Sequence, residues 1–177
     1  GRMEHKMNTF TDFIDSAEYL LKNRYADPKR LYCMGGSAGG YTVLNALTHE
    51  PGFFKAGVAS YPVTNLFTLE MNTHKFESNY NATMVGRLPE DDAFFKEWSA
   101  VFHAHKIKDA VALFHGKEDK AIDPEQSETV AAALRANKVP HIFRMYEGEG
   151  HGFRKAETIE DFYKEVIAFL QQYVIFG

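Results

Sequence analysis

Residues 30–47 read RLYCMGGSAGGYTVLNAL, and Ser37 in their middle is crowded by small neighbours: Gly35, Gly36, Ala38, Gly39 and Gly40. RLYCM is a short apolar strand, a helical pattern runs from about Ala38 to Thr48, and the pattern G-x-S-x-G fills the turn between them. A serine on so sharp a strand-to-helix turn has no room for larger neighbours, and tight packing of this kind suits a nucleophile. A glycine-rich turn can also cradle a phosphate. Here no Lys-Ser or Lys-Thr pair closes the turn, and no G-x-G-x-x-G with a following acidic residue is present, so that reading is set aside.

Outward from this turn, short apolar runs alternate with helical patterns. Upstream, Thr11-Asp12 reads as the cap of an amphipathic helix carrying Phe13, Ile14, Ala17, Leu20 and Leu21 and ending near Asn23. Downstream, FKAGVAS (54–60) is a second buried strand, ALFH (112–115) lies in a third, and HIFRMY (141–146) is a fourth. Asp123-Pro124-Glu125 starts a helix that continues to about Asn137, with Pro140 beyond its end. EGEGHGF (147–153) is a glycine-rich loop, and Thr158 to about Tyr173 forms an amphipathic final helix. Strand-helix alternation implies an α/β fold with a parallel sheet, helices on both faces and ligand chemistry at the carboxyl ends of the strands. The aromatic-rich section from Tyr61 to Lys108 reads as short helices over the sheet, and no repeat or linker divides the 177 residues into more than one domain.

Composition narrows the function. The chain is 45% hydrophobic and 25% charged, as expected of a globular domain with a sizeable core. A formal net charge of -4, with no basic block, gives no electrostatic reason to expect nucleic acid or an anionic membrane surface. Cys33 is the one cysteine, beside Met34 in an apolar strand, and reads as core packing rather than a reactive thiol. No apolar run is long enough to span a membrane, and GRMEHKMNTF lacks the apolar stretch of a secretory leader, which together suggest a cytoplasmic protein.

A serine hydroxyl needs a base to take its proton, and that base needs a carboxylate to fix its tautomer. On a turn of this type the chain order is serine, acid, histidine. Of the eight histidines, His141 and His151 follow the third strand. His141 begins the fourth strand, whereas His151 sits after that strand in a glycine-flanked loop, so His151 is the expected base. The loop after the third strand offers Glu118, Asp119 and Asp123. Asp123 has a competing role as helix cap, and of the adjacent pair the shorter Asp119 is the better acid. The N–H of Ala38 is the expected oxyanion donor, with a second donor coming from elsewhere.

Other residues have plainer readings. His115 closes the third strand through a side-chain hydrogen bond. His103 and His105 have the spacing of neighbours on one strand face, without the acidic or cysteine cluster that a metal site needs. Phe67, Phe76, Tyr80, Phe94 and Trp98 are either an apolar substrate pocket or, more in keeping with such a cover, core. Arg87 with Glu90, Asp91 and Asp92 reads as a solvated helix start, the other reading being a site for a peptide terminus.

Several of these motifs, in this order, resemble the catalytic domain of prolyl oligopeptidase-type serine peptidases, a family that includes acylaminoacyl peptidases, dipeptidyl aminopeptidases and oligopeptidase B. DPKRLYCMGGSAGGY is similar to the nucleophile segment, FKAGVASYPVTNL to the strand after it, THKFESNY to an insertion, LFHGKEDKAIDPEQS to the acid loop and YEGEGHGF to the histidine loop. The resemblance implies an α/β-hydrolase fold, with Ser37, Asp119 and His151 as nucleophile, acid and base. It further implies cleavage of oligopeptides or blocked N-terminal residues through an acyl-enzyme, without metal or organic cofactor. The family's domain carries a larger sheet, and the four strands here match its second half, so the chain is expected to be truncated at its N-terminus. The missing half would supply the second oxyanion donor and cover the edge of the nucleophile strand, and the rest of the same enzyme or a second copy of the chain is the expected partner. Two rival readings remain: a carboxylesterase on the same scaffold, and a non-catalytic fragment that associates through its exposed sheet edge.

Overall fold

The computed structural model describes residues 2–72 and 86–177, with side chains for 10–71 and 86–177. Its four strands, β1 (Tyr32–Gly36), β2 (Ala56–Ser60), β3 (Ala110–Gly116) and β4 (His141–Tyr146), form one parallel sheet in the order β1-β2-β3-β4. The helices are α1 (Arg2–Lys22), α2 (Ala38–His49), α3 (Leu66–Asn72), α4 (Asp92–Glu97), α5 (Ala100–His103), α6 (Glu125–Ala136) and α7 (Ala156–Leu170). A short 3-10 turn, Ala104–Lys106, follows α5, and a π turn, Gln171–Ile175, follows α7.

Both faces of the sheet are covered, so the inner strands are buried throughout rather than alternating, and apolar up to Ser60 and His115 near their carboxyl ends. Every residue of β2 and β3 is buried. Successive side chains of β3 go to opposite faces. Val111 and Leu113 join a core with α1, α2 and α6, while Ala110, Ala112 and Phe114 join Phe162, Val166 and Phe169 of α7. β1 is an outer strand, and Tyr32 and Met34 on it are exposed.

Between β2 and β3 the described residues form the expected short helices, α3, α4 and α5. This section packs through a third cluster of Val63, Leu66, Phe95 and Ile122. Gln126 of α6 fixes its start, its Oε1 accepting the Thr64 and Asn65 N–H groups at 2.8 and 3.1 Å. Two sequence expectations change here. Thr11 and Asp12 lie inside α1 rather than at its cap, since the preceding MEHKMNTF holds no Gly or Pro to stop a helix. His103 and His105 are on α5 and the 3-10 turn, not on a strand, and His103 is bonded through Nε2 to the Lys96 carbonyl at 3.0 Å. The helix start expected at Asp91 and Asp92 is present as α4, with Asp91 Oδ2 accepting the Arg87 N–H at 2.7 Å ahead of it.

The turn at Ser37 separates two glycines that the pattern treats alike. A Cβ on Gly35 would lie 2.6 Å from the backbone of Gly39, so the strand can meet the helix only if Gly35 has no side chain. A Cβ on Gly39 would meet nothing within 4 Å among the described residues, and Gly39 lies in α2. Gly35→Ala is therefore expected to lower stability by about 1–3 kcal/mol through overpacking. Gly39→Ala is expected to raise it by about 0.5–1 kcal/mol, the ordinary gain for Gly to Ala in a helix. Urea unfolding midpoints of the two variants test this, and equal losses would contradict it.

Candidate active site

Ser37 stands between β1 and α2 at φ 56°, ψ −118°, a region that non-glycine residues avoid. Its N–H donates to the Ser60 carbonyl at the end of β2 at 3.0 Å, and its own carbonyl accepts the Tyr41 N–H at 3.0 Å. The strained residue is thus locked from both sides, with the helix starting immediately after it. Ala38 opens α2, and a first-turn amide has no carbonyl within its own helix to bind.

The loops after β3 and β4 are stitched together at the same end of the sheet. Lys117 donates its N–H to the Tyr146 carbonyl at 2.9 Å, and Glu118 donates its N–H to the Glu149 carbonyl at 2.9 Å. Gly116 permits this approach, because any Cβ there would collide with the carbonyl oxygens of Glu149 and Gly150. The Glu149 carboxylate, 2% exposed, accepts the N–H groups of Arg154 and Lys155 at 2.9 and 2.8 Å and closes the glycine loop around His151.

These constraints bring Ser37, His151 and Asp119 into one line. His151 Nε2 lies 2.9 Å from Ser37 Oγ, and His151 Nδ1 lies 2.8 Å from Asp119 Oδ2. The other carboxylate oxygen, Oδ1, accepts the N–H groups of Ala121 and Ile122, both at 2.9 Å. Burial works against the charge on Asp119, but hydrogen bonds from His115, the Ile122 amide, His151 and the Ala121 amide outweigh it and hold the carboxyl down at about 2. Asp119 is then an acceptor at neutral pH, so His151 Nδ1 carries the proton and Nε2 offers its lone pair to the Ser37 hydroxyl.

The remaining sequence candidates lie elsewhere. His141 at the start of β4 is bonded through Nδ1 to the Val139 carbonyl at 2.7 Å. Asp123 accepts the Glu125 N–H at 3.0 Å, as a residue starting α6 should. Glu118 borders a cavity of about 460 Å³ beside the histidine loop, together with Lys120, His151 and Arg154. Phe67, Phe94 and Trp98 pack around the third cluster, Phe67 against Phe95 and Trp98 stacked on His49 at 4.5 Å. Phe76, Tyr80 and the THKFESNY segment lie outside the described residues. Cys33 is buried, and its burial pushes the thiol up to about 12, which removes it from thiolate chemistry.

Two residues near the line escaped the sequence reading. Tyr61, at φ 37° directly after β2, sets its ring edge-on to His151 with centroids 4.9 Å apart, and also to Phe153 at 5.3 Å. Its position after a strand's carboxyl end was a signal, but nothing in its residue type marked it. Glu149 was hidden among the acidic residues of a loop read for its glycines.

Comparison with known proteins identifies the family. The prolyl oligopeptidase family pattern matches residues 1–175. Dipeptidyl aminopeptidase BIII of Pseudoxanthomonas mexicana is 28% identical over 166 residues, which covers 91% of this chain and 24% of that protein. The dual function macrocyclase-peptidase POPB of Amanita bisporigera is 33% identical over 165 residues, covering 88% of this chain and 22% of that one. Among solved structures, a puromycin-hydrolyzing peptidase of Mycobacterium tuberculosis superposes with a TM-score of 0.87 at 38% identity, over 93% of this chain and 25% of that one. The chain therefore spans about a quarter of the length of these relatives. With a parallel α/β-hydrolase sheet, a serine turn between β1 and α2, and a family match running along almost its whole length, this chain belongs to the prolyl oligopeptidase family of serine peptidases.

Proposed function

We propose that the chain carries the catalytic residues of a serine peptidase that cleaves oligopeptides or removes blocked N-terminal residues through an acyl-enzyme on Ser37. The observation that carries this reading is the unbroken hydrogen-bonded line from Ser37 Oγ through His151 to Asp119. In the first step Ser37 Oγ attacks the carbonyl carbon of the scissile bond while its proton passes to His151 Nε2. Asp119 keeps the imidazole in the tautomer that can accept that proton and stabilises the imidazolium that forms. The Ala38 N–H serves the developing oxyanion, with a second donor from outside this turn. His151 then gives the proton to the leaving nitrogen as the C–N bond breaks, and water, deprotonated by the same imidazole, releases the acyl group.

The names of the relatives, dipeptidyl aminopeptidase, macrocyclase-peptidase and puromycin-hydrolyzing peptidase, support amide over ester substrates. A cytoplasmic setting belongs to the same proposal and is supported by the lone buried Cys33, which leaves no internal disulfide to form. No helix among the described residues is long and apolar enough to cross a membrane.

On a blocked peptide anilide, Ser37→Ala and His151→Ala are each expected to lower kcat/KM about 10⁶-fold. His141→Ala is expected to change it by less than about threefold, since that residue touches neither partner; full activity in His151→Ala would displace the base. Matched amide and ester substrates separate the two hydrolase readings, and an enzyme that turns over the ester while leaving the amide untouched would contradict peptidase activity.

Asp119 also ties stability to pH. Its carboxyl titrates at about 2 in the folded chain, against roughly 4 when unfolded, so its contribution is complete above the unfolded value. That contribution is lost as the pH falls through about 2. Asp119→Asn is expected to be less stable than wild type at pH 7 and to show a shallower loss of stability between about pH 5 and pH 2. Parallel acid profiles of the two proteins, measured by urea unfolding, would contradict this.

A further inference from the structure

We infer that His115 and Ser127 form a buried bracket that positions Asp119 and limits how strongly its carboxylate binds His151, a role that rests on reading Asp119 and His151 as acid and base. His115 lies near the end of β3 and Ser127 in α6, and both are 0% exposed. His115 Nε2 stands 3.1 Å from the Ile122 carbonyl and 3.2 Å from Asp119 Oδ2. Both of those atoms are acceptors, so Nε2 carries a proton, hydrogen-bonded to the Ile122 carbonyl with Asp119 Oδ2 close beside it. His115 Nδ1 lies 2.7 Å from Ser127 Oγ, and with the ring proton on Nε2 it accepts the serine hydroxyl proton. Ser127 thereby fixes the ring orientation from α6, and the ring aims its one N–H at the acid loop.

The consequence falls on Oδ2, the oxygen that faces His151. Oδ1 is already saturated by two backbone N–H groups. Oδ2 divides its charge between two imidazoles, His151 at 2.8 Å and His115 at 3.2 Å. Removing the second donor leaves more of that charge to His151, which strengthens their bond and favours the imidazolium. The other titratable groups facing these rings are Tyr61, packed on His151, and Glu118, Lys120, Glu149, Arg154 and Lys155 around the cavity beside its loop. The hydrogen bonds and ion pair of His115 run instead to Ser127, Ile122 and Asp119.

The test is a titration of His151 in the isotope-labelled full chain, followed by its imidazole NMR signals, in wild type and in three variants. His115→Phe keeps bulk and removes the donor; it is expected to move the His151 protonation midpoint up by about half to one pH unit and its Nδ1 proton signal downfield. His115→Gln restores an N–H near the Nε2 position and is expected to stay within about 0.2 unit of wild type. A packing role alone would lower stability in both without moving the midpoint, and an unmoved midpoint in His115→Phe overturns the inference. If His115→Phe does not fold, Ser127→Ala, which keeps the imidazole and removes its anchor, decides: an upward shift supports the bracket and none overturns it. Peptide anilide turnover by the wild-type chain is measured separately. Absent turnover with a His115-dependent titration counts against the peptidase reading alone; normal turnover with a His115-independent titration counts against the bracket alone.

Discussion

Ser37 is held in a backbone conformation that a residue with a side chain avoids, and the rest of the site is arranged around that constraint. The left-handed bend survives because Ser60 takes its N–H, because Tyr41 binds its carbonyl, and because Gly35 lets β1 meet the first turn of α2 at contact distance. The first of these depends on β2 lying parallel and in register beside β1, and the other two on the packing of β1 against α2. Ser37 is thus positioned by the sheet and the helix packed on it rather than by a loop that could settle in several ways.

Asp119 and His151 arrive by longer routes. Their loops leave the carboxyl ends of β3 and β4, neighbours in the sheet, and backbone hydrogen bonds join them before either side chain is placed. Asp119 is the node at which these restraints meet. Four N–H donors surround its two oxygens, two from its own loop, one from β3 and one from the histidine loop. A carboxylate so enclosed keeps its charge despite burial, and the imidazole beside it has only one useful tautomer.

Much of this was legible in the residues. The order serine, acid, histidine along alternating strands and helices picks out Ser37, Asp119 and His151, the three side chains the fold brings within hydrogen-bond distance, because parallel sheets collect the ends of their strands on one side. The fourth strand matches its expected span, His141–Tyr146, and the turn at Asp123-Pro124 starts α6 as its residue types require. What the pattern could not separate was Gly35 from Gly39, since only one of them faces another backbone. Nor could it assign His115 a partner in the acid loop, because a buried histidine that closes a strand and one that binds a carboxylate have the same sequence. His103 and His105 were misjudged as strand neighbours because spacing by two says nothing about a segment too short to show its period.

The most direct measurement of the assembled site is reaction of the purified chain with a fluorophosphonate, followed by mapping of the adduct by mass spectrometry. Such a reagent requires an activated serine and a place for its oxyanion, and it reports on Ser37 without presuming a substrate. One adduct per chain, located on Ser37 and absent from His151→Ala, is the expected result. A folded chain that remains unmodified, or one modified at another serine, would contradict the assignment of Ser37, His151 and Asp119 as a working triad.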